Sequence, residues 1–467
     1  MKVLEDIVTQ TRQIVAERKR RTTIAELQNV SRTKPRAFAQ ALAARPTGLI
    51  FECKRASPSQ GMIRPDYDPA AIATDYKDVA TCISVLTAEP FFHGSLHHLK
   101  AVRGAVDLPL LCKDFMVDPY QIYEARAHGA DAILLICALL SDTELREFGQ
   151  LAHTLGMDAL VEVHDGAELD RALSSDAKLV GINNRNLKTM QISLEVCEEL
   201  APRVPADVTL IAESGISGRQ DVQRLQKKVD GFLIGTHLMK RDDIAVAARE
   251  LAYGRVKVCG LTRSVDALAA WRAGATFGGL IFARESPRAV SPREARNLVS
   301  SAPLSWVGVF VNEHTERIVQ LAKDLNLAAV QLHGEEGAEQ LATLRELLPA
   351  HCEIWKAQSV KDGQIPPALP GADRTLLDTY HVGIRGGSGS AFDWHSLEDH
   401  PGREQLIIAG GLDPHNARAA DALGVWALDA SSRLESAPGV KDHEKLAAFF
   451  GALRGRSERD QIGRDAS

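Results

Sequence analysis

The sequence predicts an α/β protein of two tandem (β/α)8 TIM barrels, the first with an N-terminal helical extension. Three observations predict it. At 467 residues the chain is too long for one ordinary core. From residue 48 onward, short apolar runs alternate with helix-like stretches. The pattern then starts over at RVKVCGLTR (255–263), which repeats a device met about two hundred residues earlier as LIFECKRASPS. Alternation along a strand puts Glu52 and Lys54 on one face in the first copy, and Lys257 and Cys259 on one face in the second.

Residues 1–47 read as helices, with Val3, Ile7, Ile14 and Val15 forming one apolar stripe and Ile24, Leu27 and Val30 another. Eight strand candidates follow: 49–56, 82–88, 108–115, 132–140, 159–164, 178–186, 209–216 and 231–239. The second half repeats the count with 255–261, 277–283, 305–311, 327–334, 353–359, 374–380, 404–412 and 424–432. Near-continuous apolar strands separated by helices fit a closed parallel barrel. The alternative, an open doubly wound sheet, usually carries a G-x-G-x-x-G turn after its first strand, and none is present. No Ser- or Pro-rich linker interrupts the chain, so the expected domains are 1–253 and 254–455, followed by a polar, frayed tail at 456–467.

Composition narrows the partners. Hydrophobic residues at 45% and charged residues at 25% are those of a soluble globular protein. A net charge of −6 offers no electrostatic case for nucleic acid or an anionic membrane. The seven cysteines contain no C-x-x-C pair, which predicts reduced thiols rather than a zinc cluster or a disulfide framework. The N-terminus mixes charges without an apolar core, unlike a signal peptide, and no run approaches the roughly 20 residues that span a bilayer. The expectation is a cytoplasmic monomer.

Active sites of such barrels lie at the C-terminal ends of the strands. In the first barrel those ends offer Glu52 and Lys54, Lys113, Glu162, Asn183 with Arg185, and Glu213 with Ser214. Any one of them could be a rim salt bridge, but so many converging on one mouth are costly to bury unless paired. ESGIS (213–217) and IGTHL (234–238) put small residues at turns into helices, where backbone N–H groups can meet a phosphate.

The second barrel offers Cys259, Gln331 with His333, and Asp378, with Arg288 on the loop after its second strand. A lone Cys in an apolar strand is commonly a core residue, but here a Gly-Leu-Thr turn follows it and places it at the mouth. Small-residue phosphate cradles follow its last three strands: the loop with Gly387 and Gly389, the turn with Gly410 and Gly411, and the segment with Ser431 and Ser432. His93, His97 and His98 lack a Cys or carboxylate at ligand spacing, so no metal is expected.

FECKRASPSQG, LTAEPFFHGS, LLCKDF, VEVH, GINNRNL and AESGI, in this order over about residues 1–250, resemble the indole-3-glycerol-phosphate synthase family. The resemblance implies that Lys113 is the general acid of ring closure, assisted by Lys54 and Glu162. Glu52, Asn183, Glu213 and Ser214 would bind or orient substrate, and Ser57, Gly215, Gly235 and Thr236 would surround its phosphate. KVCGLTR, SPRAVSP, VGVFVNE, AVQLHGEE, LLDT, GGSGSAFDW and AGGL, over about residues 255–455, resemble phosphoribosylanthranilate isomerase. That resemblance makes Cys259 the general base and Asp378 the general acid of an Amadori rearrangement, with Arg288 holding the anthranilate carboxylate. Cys259 would then need a depressed pKa, supplied by nearby positive charge. Arg433 departs from the family, which has a small residue at that point.

Together the resemblances imply a bifunctional enzyme of tryptophan biosynthesis that acts on small phosphorylated anthranilates and uses no cofactor. Two rivals can be named. A sugar-phosphate isomerase of histidine biosynthesis would use two carboxylates rather than Cys259. A pair of degenerate ligand-binding barrels would not be expected to keep acid–base residues in both halves.

Overall fold

Eight parallel strands close into a barrel in each half of the chain. The computed structural model describes residues 2–30, 34–187, 189–360, 364–379, 394–397 and 400–455. Among the predicted site residues, Gly387 and Gly389 lie outside the described residues, as does the predicted tail. The chain separates into two compact units, one of Met1–Ala248 together with Gly455–Ser467 and the other of Arg249–Arg454.

The first barrel is built from β1 Gly48–Cys53, β2 Cys82–Leu86, β3 Leu110–Lys113, β4 Ala132–Ile136, β5 Asp158–Val163, β6 Leu179–Asn183, β7 Thr209–Glu213 and β8 Gly231–Ile234. Each strand pairs with its neighbours in sequence, and β1 closes the ring on β8. Ile50, Leu111, Leu134, Leu160, Ile211 and Leu233 meet in its interior. Burying each such side chain contributes about 1.5–3 kcal/mol.

Three helices precede β1: α1 Lys2–Arg21, α2 Ile24–Val30 and α3 Phe38–Ala43. Helix α3 stops the barrel's N-terminal end. Its Phe38 and Leu42 join the interior cluster, and Asp158 at the start of β5 accepts the Ala39 amide at 2.9 Å. A Cβ on Gly48 would lie 2.7 Å from Leu42 Cδ2, so glycine is what lets this helix seat. Helices α1 and α2 clasp the helix Pro119–Ala127, whose Tyr120 hydroxyl donates to the carbonyls of Arg18 and Thr22.

The second barrel runs β9 Val256–Cys259, β10 Phe277–Ile281, β11 Ser305–Phe310, β12 Ala329–Leu332, β13 Glu353–Val360, β14 Arg374–Thr379, β15 Leu406–Ile408 and β16 Ala427–Ala430. It too closes first strand on last. Phe277, Trp355 and Trp426 pack edge-on in its interior with ring centroids 5.3 and 5.4 Å apart.

Every strand candidate contains a strand, but several runs overshoot. The run 132–140 leaves the sheet after Ile136, and 231–239 becomes a helix at Thr236. Apolar character persists past the strand ends because Cys137, Leu140, Leu238 and Met239 stay buried. Two short hairpins give no alternation signal and were not expected: Ala56–Ser57 with Gly61–Met62, and Glu435–Ala437 with Val440–Lys441. Among the described residues no helix is long and apolar enough to cross a membrane.

Candidate active sites

Lys113 stands at the end of β3 and donates to Glu162 Oε2 at 2.8 Å and to Glu213 Oε2 at 2.9 Å. Both carboxylates come from strand ends, as does Asn183, whose Nδ2 donates to Glu162 Oε1 at 3.1 Å. Asn183 is itself held, since its Oδ1 accepts the Arg185 amide at 3.0 Å. Lys54 pairs with Glu52 at 2.8 Å. Glu52, Glu162 and Glu213 are buried, where a carboxylate is costly unless a cation faces it.

The two carboxylates around Lys113 are not alike. Burial pulls the Lys113 ammonium down, yet Glu162, Glu213 and Glu52 together hold it above its ordinary range. Burial pushes Glu162 up, but Lys113 and His164 overcome it and hold it well below the usual carboxylate range. Burial and the charge of Glu162 leave Glu213 raised to about 7 despite Lys113. Glu213 Oε1 is buried without a hydrogen-bond partner.

Local backbone makes room for this cluster. A Cβ on Gly181 would lie 2.0 Å from Glu213 Oε1, and one on Gly235 would lie 2.3 Å from Glu52 Oε1. After β7 the chain turns through Ser214 at φ 63° and Gly215 at φ 84°. A left-handed non-glycine residue costs on the order of 1–3 kcal/mol, and such strain gathers at functional sites.

A cavity of about 480 Å³ opens over these strand ends, within the usual range for small-molecule sites. All twelve residues predicted for this mouth line it: Glu52, Lys54, Ser57, Lys113, Glu162, Asn183, Arg185, Glu213, Ser214, Gly215, Gly235 and Thr236. Sequence reasoning missed its apolar wall, where Phe92 and Phe115 stand 5.9 Å apart and Leu4 and Ile7 of α1 join them. These apolar residues read as core in a sequence.

In the second barrel, Lys257 is fully buried and donates to Asp429 Oδ2 at 2.8 Å. A Cβ on Gly279 would lie 2.8 Å from Cys259 Sγ and 3.0 Å from Lys257 Cε, so this glycine clears the space where thiol and amine meet. His333 Nε2 lies 3.6 Å from Asp378 Oδ2, and Gln331 Nε2 is 3.1 Å from His333 Nδ1. Arg288 reaches Glu435, which also accepts from Lys441 at 2.8 Å. The Cys259 carbonyl accepts from Lys441 at 2.6 Å and from the Ser431 hydroxyl at 3.1 Å.

One expectation is overturned. Burial raises the Cys259 thiol above its ordinary value, and Lys257 and Lys441 oppose the rise without reversing it. The positive charge is there, but Asp429 and Glu435 already engage it. Lys257, Asp429, Glu435 and Lys441 were not singled out as site residues. Gly410 and Gly411 turn the chain at φ 85° and 70°, and Ser432 opens a short 3-10 turn in which Arg433 is exposed.

Residues 4–251 match the family model of indole-3-glycerol phosphate synthase, and residues 256–452 match that of N-(5'phosphoribosyl)anthranilate (PRA) isomerase. The tryptophan biosynthesis protein TrpCF of Yersinia pestis is 47% identical over 97% of this chain and 94% of its own length. TrpCF of Salmonella typhi is 45% identical over 97% of this chain and 99% of its own. The chain belongs to both families. It is a bifunctional enzyme of tryptophan biosynthesis, with a synthase barrel first and an isomerase barrel second. The synthase barrel is a decarboxylating lyase and the isomerase barrel an intramolecular oxidoreductase.

Proposed function

We propose that the two mouths perform consecutive steps, each with the residues gathered at its strand ends. In the isomerase barrel, Asp378 protonates the ribose ring oxygen of phosphoribosylanthranilate, and the ring opens to a Schiff base. Cys259 removes the proton from the sugar's second carbon, and the resulting enolamine tautomerises to the ketone, 1-(2-carboxyphenylamino)-1-deoxyribulose 5-phosphate. Arg288 holds the anthranilate carboxylate. The turn at Gly410 and Gly411, with Ser431 and Ser432, takes the phosphate, and His333 lies beside Asp378 at the strand ends.

In the synthase barrel, the ring carbon bearing the carboxylate attacks the ketone while Lys113 protonates the ketone oxygen. Carbon dioxide leaves, and a second proton expels the hydroxyl as water. A proton is lost from the carbon next to nitrogen, which completes the pyrrole of indole-3-glycerol phosphate. Lys54 and Lys113 suit the substrate carboxylate until it departs, and Phe92 and Phe115 offer the aromatic ring an apolar wall. Ser57, Gly215, Gly235 and Thr236, which line the cavity, take the phosphate.

The observation that carries this reading is Lys113, a half-buried ammonium shared by two carboxylates in the lining of a cavity of substrate size. A coupled assay tests it. Phosphoribosylanthranilate fluorescence should decay on adding the protein, and indole-3-glycerol phosphate should then appear. Decay without that product would remove the synthase half of the reading. The proposal extends to a cytoplasmic monomer, the cytoplasmic part supported by seven free thiols. Light scattering at micromolar concentration would check the monomer.

A further inference from the structure

His164, the last residue of the VEVH motif, has no task in the reaction above. It follows β5, and strand alternation puts it on the same face as Glu162. It is not among the residues that line the cavity. Its ring is nevertheless anchored at one nitrogen and faces a carboxylate with the other. Nδ1 lies 3.0 Å from Glu168 Oε2, and the same oxygen accepts the His164 backbone amide at 2.9 Å. Glu168 is placed in turn by the first turn of the helix Gly166–Ser174, where its own amide donates to Asp165 at 2.9 Å. Nε2 lies 3.2 Å from Glu162 Oε1, an ion-pair contact off the line of a good hydrogen bond. A ring with a carboxylate oxygen at each nitrogen is stable only with a proton on both.

We propose that His164, anchored by Glu168, is a positioning residue of the synthase site. Its fixed positive charge makes the two carboxylates that share Lys113 inequivalent, reserving Glu162 as a permanent anion and leaving Glu213 free to take up and release a proton. The inference rests on the reading of Lys113 as the acid. Lys113 meets the two carboxylates at nearly equal distances, 2.8 and 2.9 Å, so the lysine alone does not rank them. Glu162 also has the Asn183 amide and the imidazolium, whereas Glu213 Oε1 has no partner.

The groups closest to the His164 ring are carboxylates. On β5 and the helix after it stand Glu162 and Glu168, and burial of the imidazole is overcome by these two carboxylates, which raise it to about 10. Cys137 follows β4, and its thiol is raised by burial first and by Glu168, so it brings no negative charge at neutral pH. Arg171, on the same helix as Glu168, donates to the Cys137 carbonyl and pairs with Asp142. Lys113 and Glu213 lie beyond Glu162. Environments that push two carboxylates apart assign them different roles. A proton leaving the substrate is therefore taken by Glu213, which returns it through Lys113, while Glu162 keeps the ammonium in place.

The test uses the full-length enzyme and supplied carboxyphenylamino intermediate, with kcat and KM of the synthase followed against pH. His164→Gln removes a positive charge beside the carboxylate pair, so the acid limb of kcat should move up by about one pH unit, with KM within about twofold. Glu168→Gln should move the limb the same way, and the double variant should add nothing further. In ¹³C-histidine spectra of the wild type, the signal lost in His164→Gln should stay that of an imidazolium through pH 8.5. Isomerase activity in the same samples reports folding. An acid limb unmoved in both variants, or a His164 ring that titrates near the ordinary value, overturns the proposal. Lys113→Ala separates the two readings. If it still cyclises, the assignment of Lys113 falls; if it is inactive and the acid limb does not move, only the role of His164 falls.

Discussion

Arg288 and Glu435 form a two-pronged ion pair at the mouth of the isomerase barrel, Nε at 3.0 Å and Nη2 at 2.8 Å from the two carboxylate oxygens. Glu435 is buried and sits in the short hairpin after the last strand, and Lys441 from the facing strand backs it. The guanidinium proposed to hold anthranilate is thus aimed before substrate arrives. A lysine could supply the charge but not the planar fork.

Arg288→Lys should therefore raise the isomerase KM by about 10–100-fold while changing kcat far less, as expected from losing one charge-assisted hydrogen bond. Steady-state kinetics with phosphoribosylanthranilate decide it. An unchanged KM would take Arg288 out of carboxylate binding.

Lys113→Ala should abolish indole-3-glycerol phosphate formation, with a loss of at least the roughly 10²–10⁴-fold owed to a positioned acid. Isomerisation should continue, so the carboxyphenylamino intermediate accumulates and can be measured by chromatography. Undiminished cyclisation would remove Lys113 from the mechanism. The variant also leaves Glu162 and Glu213 facing each other without their shared cation, so the synthase barrel should unfold at a lower temperature.

For Cys259 the sign of the pH dependence follows from the burial that raises its thiol. A base must be deprotonated to act, so isomerase kcat/KM should climb about tenfold per pH unit while the thiol is mostly protonated. The climb should continue past the pH at which an ordinary thiol has ionised. Lys257 opposes the rise, so Lys257→Met should push the profile further up in pH and lower the rate at neutrality. Cys259→Ala should remove isomerase activity and leave the synthase, assayed from supplied intermediate, near wild type. A profile flat from pH 6 to 9 would argue against a thiol base.

The strand ends were legible because parallel strands buried on both faces read as apolar runs, and a charged residue at the end of such a run stands out. Lys113, Glu162 and Glu213 were found this way, and the structure brings their side chains within hydrogen-bonding distance. What the sequence hides is who pairs with whom. Lys257 was visible as a neighbour of Cys259, but its partner Asp429 comes from the last strand of the barrel. The sign of the Cys259 shift therefore turned on burial and on a contact between residues far apart in the chain. Glu435 and Lys441 lie in a hairpin too short to carry a periodic signal.

Gly181 offers the sharpest geometric test, because it lies inside β6 and carries no chemistry of its own. Nothing in the sequence marks it beyond a glycine within an apolar strand. A Cβ added there would lie 2.0 Å from Glu213 Oε1 and 3.3 Å from Leu160 Cδ1, so the carboxylate must move. Glu213 cannot retreat freely, since it is buried and its other oxygen accepts from Lys113 at 2.9 Å. Gly181→Ala should therefore turn the Glu213 carboxylate away from Lys113 while the barrel strands keep their register. A displacement of about 1 Å in a positioned group can cost on the order of 10²-fold in rate, and that is the loss expected in synthase kcat. Isomerase activity should stay near wild type, because the second barrel closes around its own core. A Gly181→Ala variant that cyclises at the wild-type rate would mean that the position of Glu213 does not matter to ring closure.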